Sequence, residues 1–239
     1  MPARRPRRAL LAVGALVVVV LAIVGVRQLA RSRTVQLFGG LVSHVPTSER
    51  RVALTFDDGP TPAVIDTILG VLGARGVRAT FFVTGRELAA APEAGRRLVA
   101  AGHELGNHTW SHRRMAFVSL GTVKAELEPT DSLIRLAGQR GRISFRPPYG
   151  YKLAVLPWYL RRLRRTTVMW DVEPDSYADV AATPEGIVRH VLARVGPGSI
   201  VLLHVWYPSR RTSLAAVGPL VDSLQARGYE VGAVRELLH

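Results

Sequence analysis

The sequence predicts an α/β domain of alternating strands and helices, preceded by one apolar N-terminal helix. Three observations support this prediction: a charge-free apolar run near the N-terminus, short β-rich runs along the rest of the chain, and apolar residues at helical spacing between those runs. Strands that alternate with helices indicate a mainly parallel sheet, either doubly wound or closed into a barrel. The 239 residues are ample for one such domain and short for two.

The apolar run covers residues 9–26 and contains no charge. As a helix at 1.5 Å per residue it would reach about 27 Å, just enough to span a bilayer. Arg27 follows directly, without the small-residue pattern of a cleavage site, which favours an uncleaved anchor over a cleaved signal peptide. Four arginines precede the run and three follow it, so we expect residues 1–8 to be cytoplasmic and the C-terminal domain extracytoplasmic, on a single-pass membrane protein. Secretion after signal cleavage is the alternative.

The rest of the chain divides into a linker and a folded domain. Residues 27–48 are polar and basic and lack periodicity, which predicts a juxtamembrane linker before a domain of residues 49–239. Seven strands are predicted at residues 52–56, 79–84, 103–107, 143–145, 166–170, 199–203 and 229–234. Helices are predicted at residues 64–72, 87–100, 123–136, 153–163, 184–195 and 214–226. Pro129 is expected to kink or split the third helix.

Composition excludes several classes of protein. The 48% hydrophobic content excludes a disordered chain, and the absence of cysteine means that any metal must be held by His, Asp or Glu. The net charge is +14, but residues 1–34 contain seven arginines and no acidic residue, so half of it lies in a short N-terminal segment. The arginine runs lack interleaved aromatic residues, so we expect affinity for anionic polymers and no specific nucleic-acid function.

Polar residues follow five of the predicted strands, where active sites of parallel α/β folds collect. Asp57 and Asp58 end the first strand; their side chains point apart on extended backbone, so one could bind a metal and the other act as a base. A plain Asp-Gly-Pro turn is the alternative. His108 and His112 follow the third strand at a spacing that would put both on one face of a helical turn. Two histidines and one aspartate make a three-ligand site, which suits zinc best, with octahedral ions as the alternative.

Three more strand ends carry candidate residues. The proline-rich loop at residues 146–150 would present Arg146 and the backbone amide of Tyr149 inward, although a structural turn with a surface arginine is the alternative. Residues 170–177 contain three acidic residues between two aromatic ones. The apolar strand at residues 199–203 ends on His204, a candidate general acid.

The motifs TFDDGP at 55–60, HTWSH at 108–112, RPPYG at 146–150 and GSIVLLH at 198–204 occur in this order. Together they resemble the NodB-homology polysaccharide deacetylases, over roughly residues 49–238. The resemblance implies a distorted (β/α) barrel of about seven parallel strands. It also implies metal-dependent hydrolysis of N-acetyl or O-acetyl groups on a polysaccharide.

The resemblance implies a divalent metal ion, most readily zinc, with the ligands Asp58, His108 and His112. Asp57 would be the general base that takes a proton from the attacking water.

The remaining catalytic roles also follow from the resemblance. Arg146 would pair with Asp57, and the backbone amide of Tyr149 would stabilise the oxyanion. His204 would donate a proton to the departing amine. The family often has an Asp-Trp pair where this chain has Ser176-Tyr177, so the acid that pairs with His204 would be Asp175 or Asp171.

The resemblance gives a set of expected substrate-binding residues, which are Tyr149, Trp170, Tyr177, Leu202 and Trp206. Tyr177 would line the acetyl pocket, and the aromatic residues after His204 would stack on a sugar ring.

The sequence therefore predicts a membrane-anchored, extracytoplasmic deacetylase of N-acetylated cell-wall or extracellular glycan such as peptidoglycan. No obligate protein partner is expected. Two alternatives are a hydrolase of a non-sugar linear or lactam amide on the same scaffold, and a catalytically weak glycan-binding module.

Overall fold

The computed structural model describes residues 5–238, with side chains from Leu10 onward, so part of the predicted cytoplasmic tail lies outside the described residues. The strands are β1 Leu41–Val42, β2 Arg51–Asp57, β3 Thr80–Val83, β4 Glu104–Asn107, β5 Thr167–Val168, β6 Ile200–His204 and β7 Glu230–Gly232. The helices are α1 Arg5–Arg31, α2 Pro62–Gly73, α3 Gly85–Ala90, α4 Pro92–Ala100, α5 Leu120–Leu136, α6 Val155–Arg162, α7 Pro184–Leu192, α8 Arg211–Ala226 and α9 Val234–Leu237.

All ladders between these strands are parallel, as predicted. The larger sheet has the order β4-β3-β2-β6, with β7 paired to the first half of β2, and β1 and β5 form a separate pair. Isolated bridges at Phe145 connect β4 to β5, and a bridge between Val172 and Val201 connects the chain after β5 to β6. Continuous ladders do not close the barrel, and single bridges link the two sheets instead; this arrangement is compatible with the distorted parallel barrel that was expected.

Two predicted segments differ from the structure. Residues 143–145 do not form a strand, because only Phe145 makes bridges to its neighbours. The seventh strand is instead Leu41–Val42, which lies inside the predicted linker and pairs with β5. The linker prediction missed this strand because two apolar residues are too few to produce a periodic signal.

Three helices differ from the prediction in extent or continuity. Helix α1 continues to Arg31, since Arg, Gln, Leu and Ala are good helix formers. The predicted helix 87–100 is two helices separated at Ala91, because the residue before a proline disfavours helical backbone. Pro129 does not split α5. Because Pro129 has no N–H group, the carbonyl oxygen of Ala125 has no helical hydrogen-bond partner. Ala125 and Pro129 are both exposed, so water can donate a hydrogen bond to that oxygen.

Helix α1 is, within the described residues, the one helix long and apolar enough to cross a membrane, over Leu10–Arg31. Its apolar part is not buried against the domain. The domain itself is built around β2, whose residues from Val52 to Asp57 are all buried. Strands β2, β4 and β6 end at the same edge of the sheet, and the polar residues that follow them meet there.

Candidate active site

Asp58, His108 and His112 form a cluster in which one ligand atom from each residue lies within 4.8 Å of the other two. The Nε2 atom of His112 is 3.2 Å from Asp58 Oδ1, and the Nε2 atom of His108 is 3.8 Å from the same oxygen. Asp58 directly follows β2 with φ 69°, and this left-handed backbone turns its side chain toward the histidines. The three predicted metal ligands are therefore brought together.

The chemistry of these atoms fits a divalent cation. Asp58 Oδ1 is buried and has no hydrogen-bond partner among residues 5–238. The Nδ1 atom of His108 lies 2.7 Å from the carbonyl oxygen of Arg146, so Nδ1 carries the proton and Nε2 is left with a free lone pair. Burial, together with His112, lowers the pKa of His108 to about 3, so the imidazole is neutral. A buried carboxylate oxygen and imidazole nitrogens that converge are the donors expected for zinc and similar ions.

The loop that carries the histidines is not helical, in contrast to the prediction. Thr109 and His112 have φ values of 70° and 58°, which lie in the left-handed region. The loop is stabilised by Glu126 of α5, whose carboxylate accepts hydrogen bonds from the backbone N–H groups of Trp110 and Ser111 and from the Ser111 hydroxyl, at 2.7 to 3.0 Å. These bonds replace the backbone ladder that a helix would have provided.

Glu126 was missed by the sequence analysis. The signal that could have found it is the helical spacing of α5, because Val123, Glu126, Leu127 and Thr130 share its buried face. A glutamate on an apolar helix face needs partners, and here the partners are the loop amides. Glu126 thus positions the loop that carries two of the predicted metal ligands.

Asp57 and Arg146 form a buried ion pair beside the cluster. Nη1 of Arg146 donates to Asp57 Oδ1 at 2.7 Å and to the Thr55 hydroxyl at 2.8 Å. The guanidinium also donates to the carbonyl oxygens of Val168 and Met169 and lies 4.1 Å above the Phe82 ring. Asp57 Oδ2, the other carboxylate oxygen, lies 3.7 Å from His108 Nε2. One oxygen of Asp57 is thus held by Arg146, and the other faces the ligand cluster.

His204, at the end of the neighbouring strand β6, forms a second pair with Asp175. His204 Nδ1 lies 3.2 Å from Asp175 Oδ1, and the backbone N–H of His204 donates to Asp175 Oδ2 at 2.7 Å. Asp171 lies elsewhere, bonded to His44, to the Ser199 hydroxyl and to the backbone N–H of Ile200. Of the two acids that the sequence left open, Asp175 is therefore the one in contact with His204.

Asp175 controls the protonation of His204. Burial by itself lowers the pKa of this imidazole, but the hydrogen bond and charge of Asp175, with smaller contributions from Asp57 and Asp58, outweigh it and raise the pKa to about 9. His204 is therefore an imidazolium at neutral pH.

Tyr149 lies at the edge of the ligand cluster. Its ring centroid is 4.7 Å from that of His112, and the Arg114 guanidinium lies 4.9 Å from the same ring. The residue is 56% exposed, with φ 56°. Of the six non-glycine residues with positive φ in the described part of the chain, four belong to the site: Asp58, Thr109, His112 and Tyr149. Such backbone concentrates at functional sites.

Three predicted substrate-binding residues are buried in the structure, and their contact with a substrate stays a prediction. Leu202 belongs to the barrel core, and Trp170 lies beneath Arg146 with its ring centroid 5.4 Å from the guanidinium. Trp206 is 2% exposed and packs on Gly59, where an added Cβ would lie 2.4 Å from the indole. The indole of Trp206, which was expected to stack on a sugar ring, supports the turn that carries Asp58.

Tyr177 is exposed but does not join the cluster. Its ring stacks on His190 of α7, with centroids 5.3 Å apart. The expectation that it lines an acetyl pocket is not supported by this position.

A cavity of about 230 Å³ opens directly beside the ligands. Its lining residues are Asp58, Thr84, Arg86, Glu87, Trp110, Ser111, His112 and Tyr207. Tyr207 is the exposed member of the aromatic pair after His204, and its hydroxyl donates to Glu87 Oε1 at 3.2 Å. This cavity is the available place for a polar substrate next to the cluster.

A parallel α/β fold with a three-ligand site and an adjacent carboxylate is typical of metal-dependent hydrolases. Residues 44–168 match the model of the polysaccharide deacetylase family, slightly more than half of the chain. The chain therefore belongs to the polysaccharide deacetylase family, and the resemblance seen in the motifs is confirmed.

Named relatives include enzymes of two substrate types. The peptidoglycan-N-acetylmuramic acid deacetylase PdaC of Bacillus subtilis is 32% identical over 81% of this chain, which spans only 40% of that protein. A chitooligosaccharide deacetylase of Bradyrhizobium is 36% identical over 79% of this chain and 90% of its own length. The structure of a family 4 carbohydrate esterase from Streptomyces lividans, in complex with acetate, is 33% identical with a TM-score of 0.69, over 76% of this chain and 91% of the esterase.

Proposed function

We propose that this protein is a membrane-anchored, extracytoplasmic, metal-dependent deacetylase that hydrolyses N-acetyl groups on cell-wall glycan. One observation carries the proposal: a base, a three-ligand cluster and an acid converge at one edge of the barrel. The base is Asp57, the ligands are Asp58, His108 and His112, and the acid is His204. These three components suit amide hydrolysis, because water must be activated, the carbonyl polarised and the departing amine protonated.

The three ligands would hold a divalent metal ion, of which zinc suits a two-histidine, one-carboxylate set best. Such an ion supplies Lewis acidity, which activates water and polarises the acetyl carbonyl.

Asp57 acts as the general base. Arg146 stabilises its carboxylate through Oδ1, which leaves Oδ2 on the cluster side to accept the proton of the attacking water. Because Arg146 is buried and has five other hydrogen-bonding or ring contacts, it orients Asp57 rigidly.

His204 acts as the general acid. Asp175 keeps it protonated, and Asp175 is itself held by the Ser213 hydroxyl at 3.1 Å and through its backbone carbonyl by Arg210 at 2.8 Å. The imidazolium therefore has a proton to give to the sugar amine as the C–N bond breaks. The backbone N–H of Tyr149 is proposed to donate to the developing oxyanion.

The choice of cell-wall glycan rests on α1 and on the relatives. An apolar helix that the domain does not bury is best accommodated in a bilayer, and an anchored enzyme meets glycans close to the cell surface. The name of PdaC gives peptidoglycan as its substrate, and the name of the Bradyrhizobium relative gives chitooligosaccharide. Both substrates are β-linked N-acetylated amino sugars, which makes the N-acetyl group the common target.

The test is acetate release by the full chain in detergent micelles. Peptidoglycan, chitooligosaccharide and acetylxylan are offered separately, each with enzyme as purified, after chelation, and after zinc is added back. We expect chelator-sensitive release from an N-acetylated polymer, restored by zinc. Bound metal without release from any polymer would point to a non-sugar amide as substrate, and absence of bound metal would point to a glycan-binding module.

A further inference from the structure

The end of α1 is attached to the domain. Ala30 is 1% exposed, and its carbonyl oxygen accepts a hydrogen bond of 2.9 Å from the backbone N–H of Lys152. Arg33 pairs with Glu173 at 2.6 Å and lies over the Trp170 ring at 4.6 Å. These contacts fix the direction in which the helix leaves the domain, and therefore fix which surface of the domain faces a membrane crossed by α1.

An apolar cavity of about 520 Å³ lies between α1 and that surface. Helix residues form one side, and Phe117 and Tyr151 form the other; the helix residues are Ala22, Ile23, Val26, Arg27 and Ala30. Phe117 is 79% exposed, which is unusual for a phenylalanine in a domain with a well-packed core. It belongs to the loop of residues 113–118, which begins directly after His112 and is tied to the domain by the bridge between Met115 and Lys152.

The residues of α1 that lie next to Phe117 indicate how deep this side chain would lie in a membrane. It shares the cavity with Ile23 and Val26, which belong to the apolar run that ends before Arg27. If α1 spans the bilayer, a side chain beside Ile23 and Val26 lies at the boundary of headgroups and acyl chains. Phenylalanine, like Trp and Leu, is favoured on the membrane-facing side of segments that bind at this depth.

The charges around the loop agree with a lipid surface. Arg27 and Arg31 lie at the end of the apolar run of α1, and Arg113 and Arg114 lie on the loop; all four are exposed. Arginines whose side chains reach the headgroup layer are attracted to anionic phospholipids.

We infer that the loop of residues 113–118 is a second membrane contact, in which Phe117 enters the lipid beside α1, an acyl chain fills the cavity, and Arg113 and Arg27 contact lipid phosphates. This inference rests on the proposed anchoring by α1. Its consequence is that the active site is held at the membrane surface, because the loop continues directly from the ligand His112. Arg114 also lies against both Tyr149 and Tyr151, and Arg31 lies over Tyr151, so α1 and the ligand cluster are joined by side-chain contacts. The substrate is then glycan next to the bilayer.

The absence of cysteine from the natural sequence allows single thiols to report on lipid exposure. Full-length Phe117→Cys, Val18→Cys and Leu136→Cys variants are labelled with a thiol-reactive fluorophore and reconstituted in vesicles of phosphatidylethanolamine and phosphatidylglycerol. Leu136 is the matched control, since it is 74% exposed and ends α5, about 25 Å from the start of that helix near the loop. The circular dichroism spectrum of each labelled variant, compared with that of the natural protein, confirms that the variant is folded.

We expect lipids with brominated acyl chains to quench the fluorescence of the labels at residues 117 and 18. Aqueous iodide should quench neither of these two labels. The label at residue 136 should show the reverse. Iodide quenching at residue 117 with lipid quenching at residue 18 would overturn the inference and leave the anchor intact. Absence of lipid quenching at residue 18 would overturn both. Self-quenching at residue 117 that disappears on dilution with unlabelled protein would assign the surface to a second copy of the chain and overturn the lipid contact.

Discussion

Asp57 and His204 occupy paired positions on the adjacent parallel strands β2 and β6. Paired residues on neighbouring strands project from the same face of a sheet, so the proposed base and the proposed acid reach the site from one face. Each is held by its own buried partner: Arg146 binds Asp57 and Asp175 binds His204. The two partners have opposite charges: a guanidinium faces Asp57, and a carboxylate faces His204 and favours its imidazolium form.

Replacing Asp57 by Asn should separate metal binding from turnover. The amide oxygen of Asn can still accept the hydrogen bond from Arg146, but it cannot take a proton from water. We expect acetate release to fall by about 10²- to 10⁴-fold, the usual contribution of a general base. Zinc content, measured by mass spectrometry of the dialysed protein, should be unchanged. Activity close to that of the natural enzyme would remove Asp57 from the base role.

Replacing His112 by Ala should remove metal and activity together, because two ligands remain of three. Zinc stoichiometry after dialysis is the direct measurement. His190→Ala is the matched control, since His190 stacks on Tyr177 outside the cluster. A variant at position 112 that stays fully loaded with zinc would show that His112 is not a ligand.

Replacing Asp175 by Asn should shift the pH dependence of turnover. A general acid works while protonated, so activity should decline as pH rises through the His204 pKa of about 9. Without the Asp175 carboxylate, burial dominates and lowers that pKa, so the decline should begin at lower pH. The pH profile of kcat measures the shift, and Asp171→Asn is the control because Asp171 does not contact His204. An unchanged alkaline limb in Asp175→Asn would argue against His204 as the acid.

Replacing Glu126 by Ala should weaken metal binding although Glu126 is not a ligand. The substitution removes three hydrogen bonds that hold the loop carrying His108 and His112. Loss of outer residues that orient metal ligands typically costs about 10- to 100-fold in affinity. Competition with a coloured zinc chelator measures this loss, and zinc at saturating concentration should restore most of the activity. Glu128→Ala is the control, because Glu128 accepts its hydrogen bond from Tyr159 on α6. If excess zinc restores nothing, Glu126 is required for folding of the loop and not only for ligand orientation.

The order and type of the elements were predictable from local pattern. Strand β2 is an apolar run that ends in two aspartates, and β6 is an apolar run that ends in a histidine, so both the strands and their polar ends are visible in the residue order. The pair Leu41–Val42 was not predictable, because a two-residue strand exists only through its pairing with β5.

Within the site, the predicted ligands could be identified from the sequence more readily than the residues that surround them. Asp58, His108 and His112 could be named because motif spacing identifies them. Burial of Trp206 against Gly59 could not be predicted, since this contact joins residues that are far apart along the chain. Helical spacing places Glu126 on the buried face of α5, but it does not show that the amides of the histidine loop are the partners of its carboxylate.

The sequence by itself determined which chemical groups are present, that they follow strand ends, and that an apolar helix precedes the domain. Only the tertiary structure decided that Asp175 and not Asp171 contacts His204, that Tyr207 and not Trp206 is exposed beside the ligands, and that Phe117 lies beside α1. The physical reason is that side-chain identity and periodicity are local properties. Burial and contact between distant parts of the chain depend on how the helices and strands pack together.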